Sequence, residues 1–366
     1  MDTRLRIGFI GCGSVATDKH FPGMATVDDV ELAAFCDINI ERANTADRNY
    51  GSPDARVYVD YHDLLADPTI DAVHVLTPMS THCRIAVDAM EAGKHVLCEK
   101  PMAATAAEAR EMLEVSRRTG RILRLSYQYR HFRPNLTAKQ LVDDGWLGDV
   151  YYAEATWLRY RGVPTWGIFR NQTQESGGSL TDIGTIVLDL VLWMMDNSEV
   201  DYVCGSMYQK LGRQLSPAEQ GQYNTYGDRN PWNPATFDTD ESSFGFIRMK
   251  NGATVILRSA WALNNITNPG MVLLSGTRGG LDTYENDQVR LNHTIAGEPA
   301  VTMVGPKLNP LLTFDVGRMP REEAEYWVAT LRGESDLCAT AEQACVVAEI
   351  LEAIARSNET GEAIKF

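Results

Sequence analysis

The chain is short of several things, and each shortage excludes a class of protein. No apolar run is long enough to span a bilayer, and the first residues, Met1-Asp2-Thr3-Arg4, lack the apolar core of a secretion signal. Lys and Arg are outnumbered: 34 against 49 acidic residues, for a net charge of −15, with no basic cluster. Such a surface repels nucleic acid and anionic membranes, so neither is an expected partner. The seven cysteines, Cys12, Cys36, Cys83, Cys98, Cys204, Cys338 and Cys345, are odd in number, scattered, and never spaced CxxC. This usage fits core thiols in a reducing cytoplasm better than disulfides or a zinc centre. No His/Cys/Asp grouping has metal-ligand spacing, so no metal is expected. Internal repeats and low-complexity tracts are also missing. What remains is an ordinary globular composition, 44 % hydrophobic over 366 residues, enough for two domains with their own cores.

The first of these reads as alternating strands and helices from Leu5 to about Arg130. Ile7, Phe9 and Ile10 form an apolar strand that runs into Gly11-Cys12-Gly13-Ser14-Val15-Ala16. In that strand–turn–helix context the glycines have a purpose. Gly11 permits the tight turn, Gly13 lets backbone approach a pyrophosphate, and Ala16 allows close helix packing. Ser14 and Val15 open the helix whose N-terminus faces the phosphates, while His20 is expected to pack locally. A second strand, Glu31 to Asp37, ends in the acid required about twenty residues on. Asp37 either caps the following helix or accepts both ribose hydroxyls. The second role also repels a 2′-phosphate and favours NAD over NADP. Val73–Leu76 precedes Thr77-Pro78, and His95–Cys98 precedes Glu99-Lys100-Pro101. Ligands of open α/β sheets bind at such strand ends, so Thr77, Pro78, His82, Glu99 and Lys100 are expected beside the cofactor. The repeated units predict a doubly wound parallel sheet.

Past about Gly148 the pattern changes to long strands. These are Asp149–Trp157, Tyr202–Gln209, Ser243–Arg248, Thr254–Ala262 and Met271–Ser275, with Asn251-Gly252 as a hairpin signal. They predict an antiparallel sheet. One helix, Leu180–Met195, is apolar nearly all round and should be buried. Two more, about Arg321–Leu331 and Ala341–Ser357, close the chain. The domain boundary is placed at residues 1–130 and 131–366. Residues 213–237 form a polar loop, either a lid or an oligomer contact.

These motifs, in this order, resemble the glucose–fructose oxidoreductase / inositol dehydrogenase family (Gfo/Idh/MocA) over nearly the whole chain. The resemblance rests on the glycine turn, Asp37, Thr77-Pro78-x-x-Thr81-His82, Glu99-Lys100-Pro101 and Gly177-Gly178-Ser179-Leu180-Thr181-Asp182-Ile183-Gly184. It implies an N-terminal Rossmann domain and a C-terminal open-faced, mainly antiparallel sheet. It also implies NAD as cofactor, with oxidation of a ring hydroxyl of a sugar, glycoside or cyclitol. The family's catalytic Lys maps to Lys100, and Asp182 is the second candidate, by orienting Lys100 or bonding a substrate hydroxyl. The histidine of the family's Asp-x-Gly-x-His segment falls on Ile186, with Asp189 on schedule. Isoleucine cannot accept a proton.

Three readings of Ile186 stand open: a natural change with Lys100 or a Tyr as base, an introduced change that disables a parent enzyme, or a chain that only binds cofactor or ligand. Substrate contacts are expected from Tyr127, Arg159, Tyr160 and Trp166. Tyr129, Arg161, Pro164 and Thr165 lie alongside, and the competing reading for 159–166 is a packed edge loop. The functional expectation is an NAD-dependent dehydrogenase, with oxidation of a glycoside at C3 as the narrower form. The alternatives are an NAD-dependent glycosidase working through transient oxidation and a catalytically disabled NAD-binding protein. Family members commonly pair into dimers or tetramers through the exposed sheet face, and alternation around Phe244–Ile247 and Val255–Trp261 is compatible with this.

Overall fold

The structure, a computed structural model, describes residues 4–165, 177–214, 233–265, 270–284, 288–305, 319–336 and 338–366. The chain folds into two compact units. The first holds the chain up to His131 and then takes it back near the C-terminus, through Ala348; the second starts at Phe132 and closes with Glu349–Phe366.

The first unit is built on a parallel sheet of β1 (Leu5–Ile10), β2 (Val30–Cys36), β3 (Arg56–Tyr58), β4 (Ala72–Val75), β5 (His95–Glu99) and β6 (Leu123–Ser126), in the order β3-β2-β1-β4-β5-β6. This is the Rossmann arrangement, whose strand order reverses between β1 and β4. A widened helical turn, Ala16–His20, continues as α1 (Phe21–Met24). It is followed by α2 (Ile40–Tyr50), α3 (Tyr61–Leu65), α4 (His82–Glu91) and α5 (Ala106–Thr119). The strands are apolar because both faces are covered: β4 and β6 are buried throughout. Thr105 starts α5 with a reciprocal capping box to Glu108, and Gly120 ends it at φ 65°.

The returning segment, α8 (Met319–Leu331) and the start of α9 (Ala341–Thr360), is fastened to β6 by a buried arginine. Arg124 is fully buried. Its Nε donates to Cys338 O (3.1 Å), its Nη1 to Glu323 O (3.3 Å) and its Nη2 to His131 Nε2 (2.7 Å). Ser126 Oγ donates to the Glu323 carboxylate at 3.1 Å, and Trp327 of α8 is wholly buried.

The second unit carries a nine-stranded sheet of β7 (Val150–Leu158), β8 (Val200–Tyr208), β9 (Ser242–Met249), β10 (Thr254–Ala260), β11 (Val272–Gly276), β12 (Gly280–Tyr284), β13 (Gln288–Ile295), β14 (Glu298–Val304) and β15 (Ile364–Lys365). Its order is β14-β13-β12-β11-β7-β10-β9-β8-β15. All neighbours are antiparallel except β7 and β10, which run parallel at the centre. The Asn251-Gly252 turn joins β9 to β10, with Gly252 at φ 89°. Along β8 and β9 one face presents Val203 and Ile247 with the glycines Gly205 and Gly245, against which Ile354 of α9 lies. A Cβ on either glycine would come within 2.7 Å of that side chain. The other face carries Tyr202 and Phe246, stacked at 6.1 Å, and Phe246 is 37 % exposed. A widened turn, Leu180–Gly184, leads into α7 (Thr185–Met195), which packs on β7 and on α6 (Arg133–Asp143). Residues 185–192 are all buried, as the all-round apolar pattern requires.

His131 accepts from Arg124, so its ring must stay neutral. Burial, then the charges of Arg124 and Arg130, push it down to about 3. Between that value and about 6.5 the unfolded chain binds a proton that the native state refuses, so stability falls as pH drops through this window. From pH 7 to about pH 4.5 the loss assigned to His131 is on the order of 2–3 kcal/mol. Urea unfolding of wild type and His131→Gln at both pH values checks this. The variant should be the less pH-dependent of the two, and equal slopes would refute the assignment.

Candidate active site

The C-terminal ends of β1, β2, β4 and β5 gather the sequence-predicted residues of the first unit. Gly11 sits at φ 97°, and a Cβ there would lie 2.8 Å from the backbone C and O of Leu76. Only glycine tolerates both constraints. A Cβ on Gly13 would meet nothing within 4 Å, so backbone is open to a ligand there. Thr17 N donates to Gly13 O at 3.0 Å, starting the helix. Asp37, past the end of β2, is 8 % exposed. Its Oδ2 accepts from Cys12 N (2.9 Å) and its Oδ1 from Asn39 N (2.8 Å). The carboxylate is thus locked to the glycine turn, with lone pairs left on both oxygens. The cap of α2 falls to Asn39, whose side chain accepts from Glu41 N. An open glycine, a helix start and a fixed carboxylate fit the pyrophosphate and ribose of a dinucleotide. Cys12 inside this turn is an inert thiol: burial, then Asp37, push it up to about 12.

Around Lys100 lies a buried network that local pattern reading does not reveal. Glu99, the last residue of β5, is 6 % exposed. Its Oε1 lies 3.1 Å from His20 Nε2, and its Oε2 accepts from Lys100 N at 2.9 Å. His20 Nδ1 lies 3.2 Å from Nδ1 of His74 on β4. His20 therefore does not pack locally; it serves a residue 79 positions away. His74 is pushed well below the ordinary histidine value by burial, then by His20 and Arg124, and its Nε2 has no partner among the described residues. Burial works to raise the Glu99 carboxyl. The His20 hydrogen bond and the charges of Lys19, His20 and Lys100 outweigh it and hold the group at about 2. Beyond Lys100 the peptide bond to Pro101 is cis. His82, at the start of α4, bonds Thr77 O and Pro101 O. Tyr127 is only 3 % exposed and belongs to the apolar core beneath the sheet, with Arg130 over its ring.

In the second unit Asp240 organises the Gly-rich segment. Its Oδ2 accepts from Ser179 Oγ (2.7 Å), Leu180 N (3.0 Å) and Ser243 Oγ (2.7 Å). Gly178 has no room for a side chain, since a Cβ would fall 1.8 Å from Asp240 Oδ1. That anchor sets the turn carrying Asp182, whose Oδ2 accepts from Nε1 of the fully buried Trp261 at 3.0 Å. Ile186 lies one turn further on and is 9 % exposed. Arg159 stacks on Trp157 at 5.4 Å and donates to Gly162 O. Tyr160 is 48 % exposed, with the Arg161 guanidinium 4.3 Å from its ring centre. Trp166 and most of the 213–237 loop lie outside the described residues. Among the described residues no group of three or more His, Cys, Asp or Glu side chains is placed to hold a metal, and no helix is long and apolar enough to cross a membrane.

A Rossmann sheet with this glycine turn, followed by an open mixed sheet, defines an NAD-binding oxidoreductase. Residues 5–127 match the model of the oxidoreductase family with an NAD-binding Rossmann fold, and residues 135–282 match the GFO/IDH/MocA C-terminal domain. The chain belongs to the Gfo/Idh/MocA family. It is 31 % identical to D-glucoside 3-dehydrogenase of Escherichia coli K12, over 99 % of this chain and 97 % of that one. It is 35 % identical to inositol 2-dehydrogenase of Salmonella typhimurium over 39 % of this chain and 43 % of that one. Among solved structures, levoglucosan dehydrogenase in complex with NADH and levoglucosan superposes with a TM-score of 0.80 at 23 % identity, covering 99 % of each chain. An oxidoreductase domain protein from Kribbella flavida reaches 0.82 at 21 %, again over 99 % of each.

Glu99 offers a test of the network. Its carboxyl is lower in the folded state than its ordinary value of 4.5, so its contribution is complete above that pH and is lost as pH falls toward about 2. Glu99→Gln should lower stability at neutral pH by about 3 kcal/mol and remove this share of the acid sensitivity. Denaturant titrations at neutral pH and near pH 3 measure both. A variant as stable as wild type at neutral pH would mean that the His20–Glu99 contact contributes nothing.

Proposed function

We propose that the chain is an NAD-dependent dehydrogenase that oxidises a ring hydroxyl of a glycoside or sugar, with C3 of a glucoside as the narrower assignment. The observation that carries the proposal is the fixing of Lys100. Its backbone N–H is held by a buried carboxylate at the end of β5, where open α/β sheets bind their ligands. The end-to-end similarity to D-glucoside 3-dehydrogenase supports the substrate class.

NAD, when bound, supplies the acceptor for the hydride leaving the ring carbon. Gly11 and Gly13 give the pyrophosphate its backbone approach. Asp37 accepts from the ribose hydroxyls and rejects a 2′-phosphate by charge. Lys100 Nζ bonds the substrate hydroxyl and, in its neutral form, takes the hydroxyl proton. Asp182, oriented by Trp261, is the polar group that the second unit offers a substrate hydroxyl. Ile186 leaves α7 without a proton acceptor at the position of the family's histidine, which shifts this task to Lys100 and Asp182. Arg159 and Tyr160 supply hydrogen bonds and stacking for a polyhydroxylated ring. The exposed aromatic face of the second sheet, with Tyr202 and Phe246, supports assembly into a homo-oligomer.

The test is NADH absorbance with NAD and a panel of glucosides, free sugars and cyclitols. Wild type should turn over a glucoside, and Lys100→Met should lose about 10²–10⁴-fold in kcat. Ile186→His should raise kcat if proton removal limits the rate. NADH from Ile186→His alone would mark the chain as a disabled form. Silence in both, with aglycone released in the presence of NAD, would replace the dehydrogenase by redox-neutral cleavage.

A further inference from the structure

Each ring nitrogen of His82 faces a carbonyl oxygen. Nδ1 lies 2.9 Å from Pro101 O, and Nε2 lies 2.8 Å from Thr77 O. The side chain is 1 % exposed. A carbonyl oxygen only accepts, so each contact requires a proton on the nitrogen. A neutral imidazole has one proton. In either tautomer its second nitrogen would point a lone pair at a carbonyl lone pair, at hydrogen-bond distance and away from water. That arrangement forfeits one bond and leaves two buried acceptors opposed. Flipping the ring does not help, because both partners are acceptors.

We propose that His82 is held as an imidazolium that clamps Thr77 to Pro101, and that it acts in this state as a positioning residue for Lys100. Charges near the ring act in both directions. Burial is the largest influence and, with Lys100, opposes the charge; it outweighs the bonds to Thr77 O and Pro101 O and the Glu99 carboxylate, so these influences together lower the ring from the ordinary histidine value. The geometry argues the other way: a discharged ring cannot satisfy both contacts, and charge-assisted bonds are the stronger kind. The consequence falls on Lys100. Glu99 holds its N–H, and His82 holds the carbonyl of the next residue, so the backbone is tied on both sides of it. Through Thr77 the same ring ties this turn to the loop after β4. Loss of the His82 proton gives up one of its two bonds, either the tether at Pro101 or the tie to the loop after β4. The positioning half of this inference rests on the role given to Lys100 above; the protonation state does not.

Neutron diffraction from wild-type crystals near neutral pH reads the protonation state directly and needs no variant. Deuterium on both Nδ1 and Nε2 is expected, and one bare nitrogen overturns the proposal even if the enzyme is active. The positioning role is read from kinetics with whichever substrate shows turnover. Wild-type kcat should fall at alkaline pH as His82 loses its proton. His82→Gln, which donates through a single amide nitrogen, should have kcat roughly 10–100-fold lower at all pH values, with a smaller change in KM for substrate and without the alkaline step. A doubly protonated ring together with an unchanged kcat and pH profile in His82→Gln would overturn the positioning role. If no substrate is turned over, the dehydrogenase reading fails while the neutron result still decides the charge.

Discussion

Glu99 carries its negative charge at 6 % exposure, and that burial dictates what its neighbours must be. A carboxylate taken out of water needs donors on both oxygens. It finds one in His20, from the helix after β1, and the other in the backbone of Lys100. His20 in turn lies against His74 on β4. The three side chains come from segments tied to β1, β4 and β5, which are adjacent in the sheet. The strand order that defines the fold is therefore also what assembles the polar network under Lys100. The glycine turn obeys the same constraint from the other side of β1. Asp37 accepts from Cys12 N and Asn39 N, so its carboxylate and the phosphate turn form one rigid piece.

The second unit uses a buried acid in a comparable way. Asp240 accepts from two serine hydroxyls and the Leu180 N–H, and the tightness around it excludes any side chain at Gly178. The turn it anchors presents Asp182 to Trp261. Ile186 then sits on a helix whose residues 185–192 are all buried, where an isoleucine is at home and a histidine would need a partner.

Much of this was legible in the residues. The alternation of apolar strands with helices, and then of long strands with turns, predicted a doubly wound sheet followed by a mainly antiparallel one, and both are present. The glycine turn, Asp37 and Glu99-Lys100-Pro101 pointed to the strand ends where they lie. The helix expected over Leu180–Met195 divides into a widened turn and α7, a difference too fine for periodicity to register. Other features left no local trace. His20 reads as an ordinary helix residue, and only the fold brings it to Glu99. Arg124 lies in an apolar strand, and its burial makes sense only once the C-terminal segment supplies the carbonyls of Glu323 and Cys338. The parallel pairing of β7 with β10 is likewise non-local, since chain neighbours in this half pair antiparallel.

The sequence by itself determined whatever depends on period, backbone freedom and spacing. That includes the class of each sheet, the need for glycine at Gly11, the acid at Asp37, and the family and its NAD-binding turn. Hydrophobic period and turn chemistry act over a few residues, so a few residues suffice to read them. Tertiary structure alone decided which buried polar groups meet. Glu99 with His20, Arg124 with the C-terminal segment, and His82 between two carbonyls all join residues whose partners are set by strand order. The energy of a buried charge depends on the groups within a few ångströms of it, and no local pattern records which groups those are.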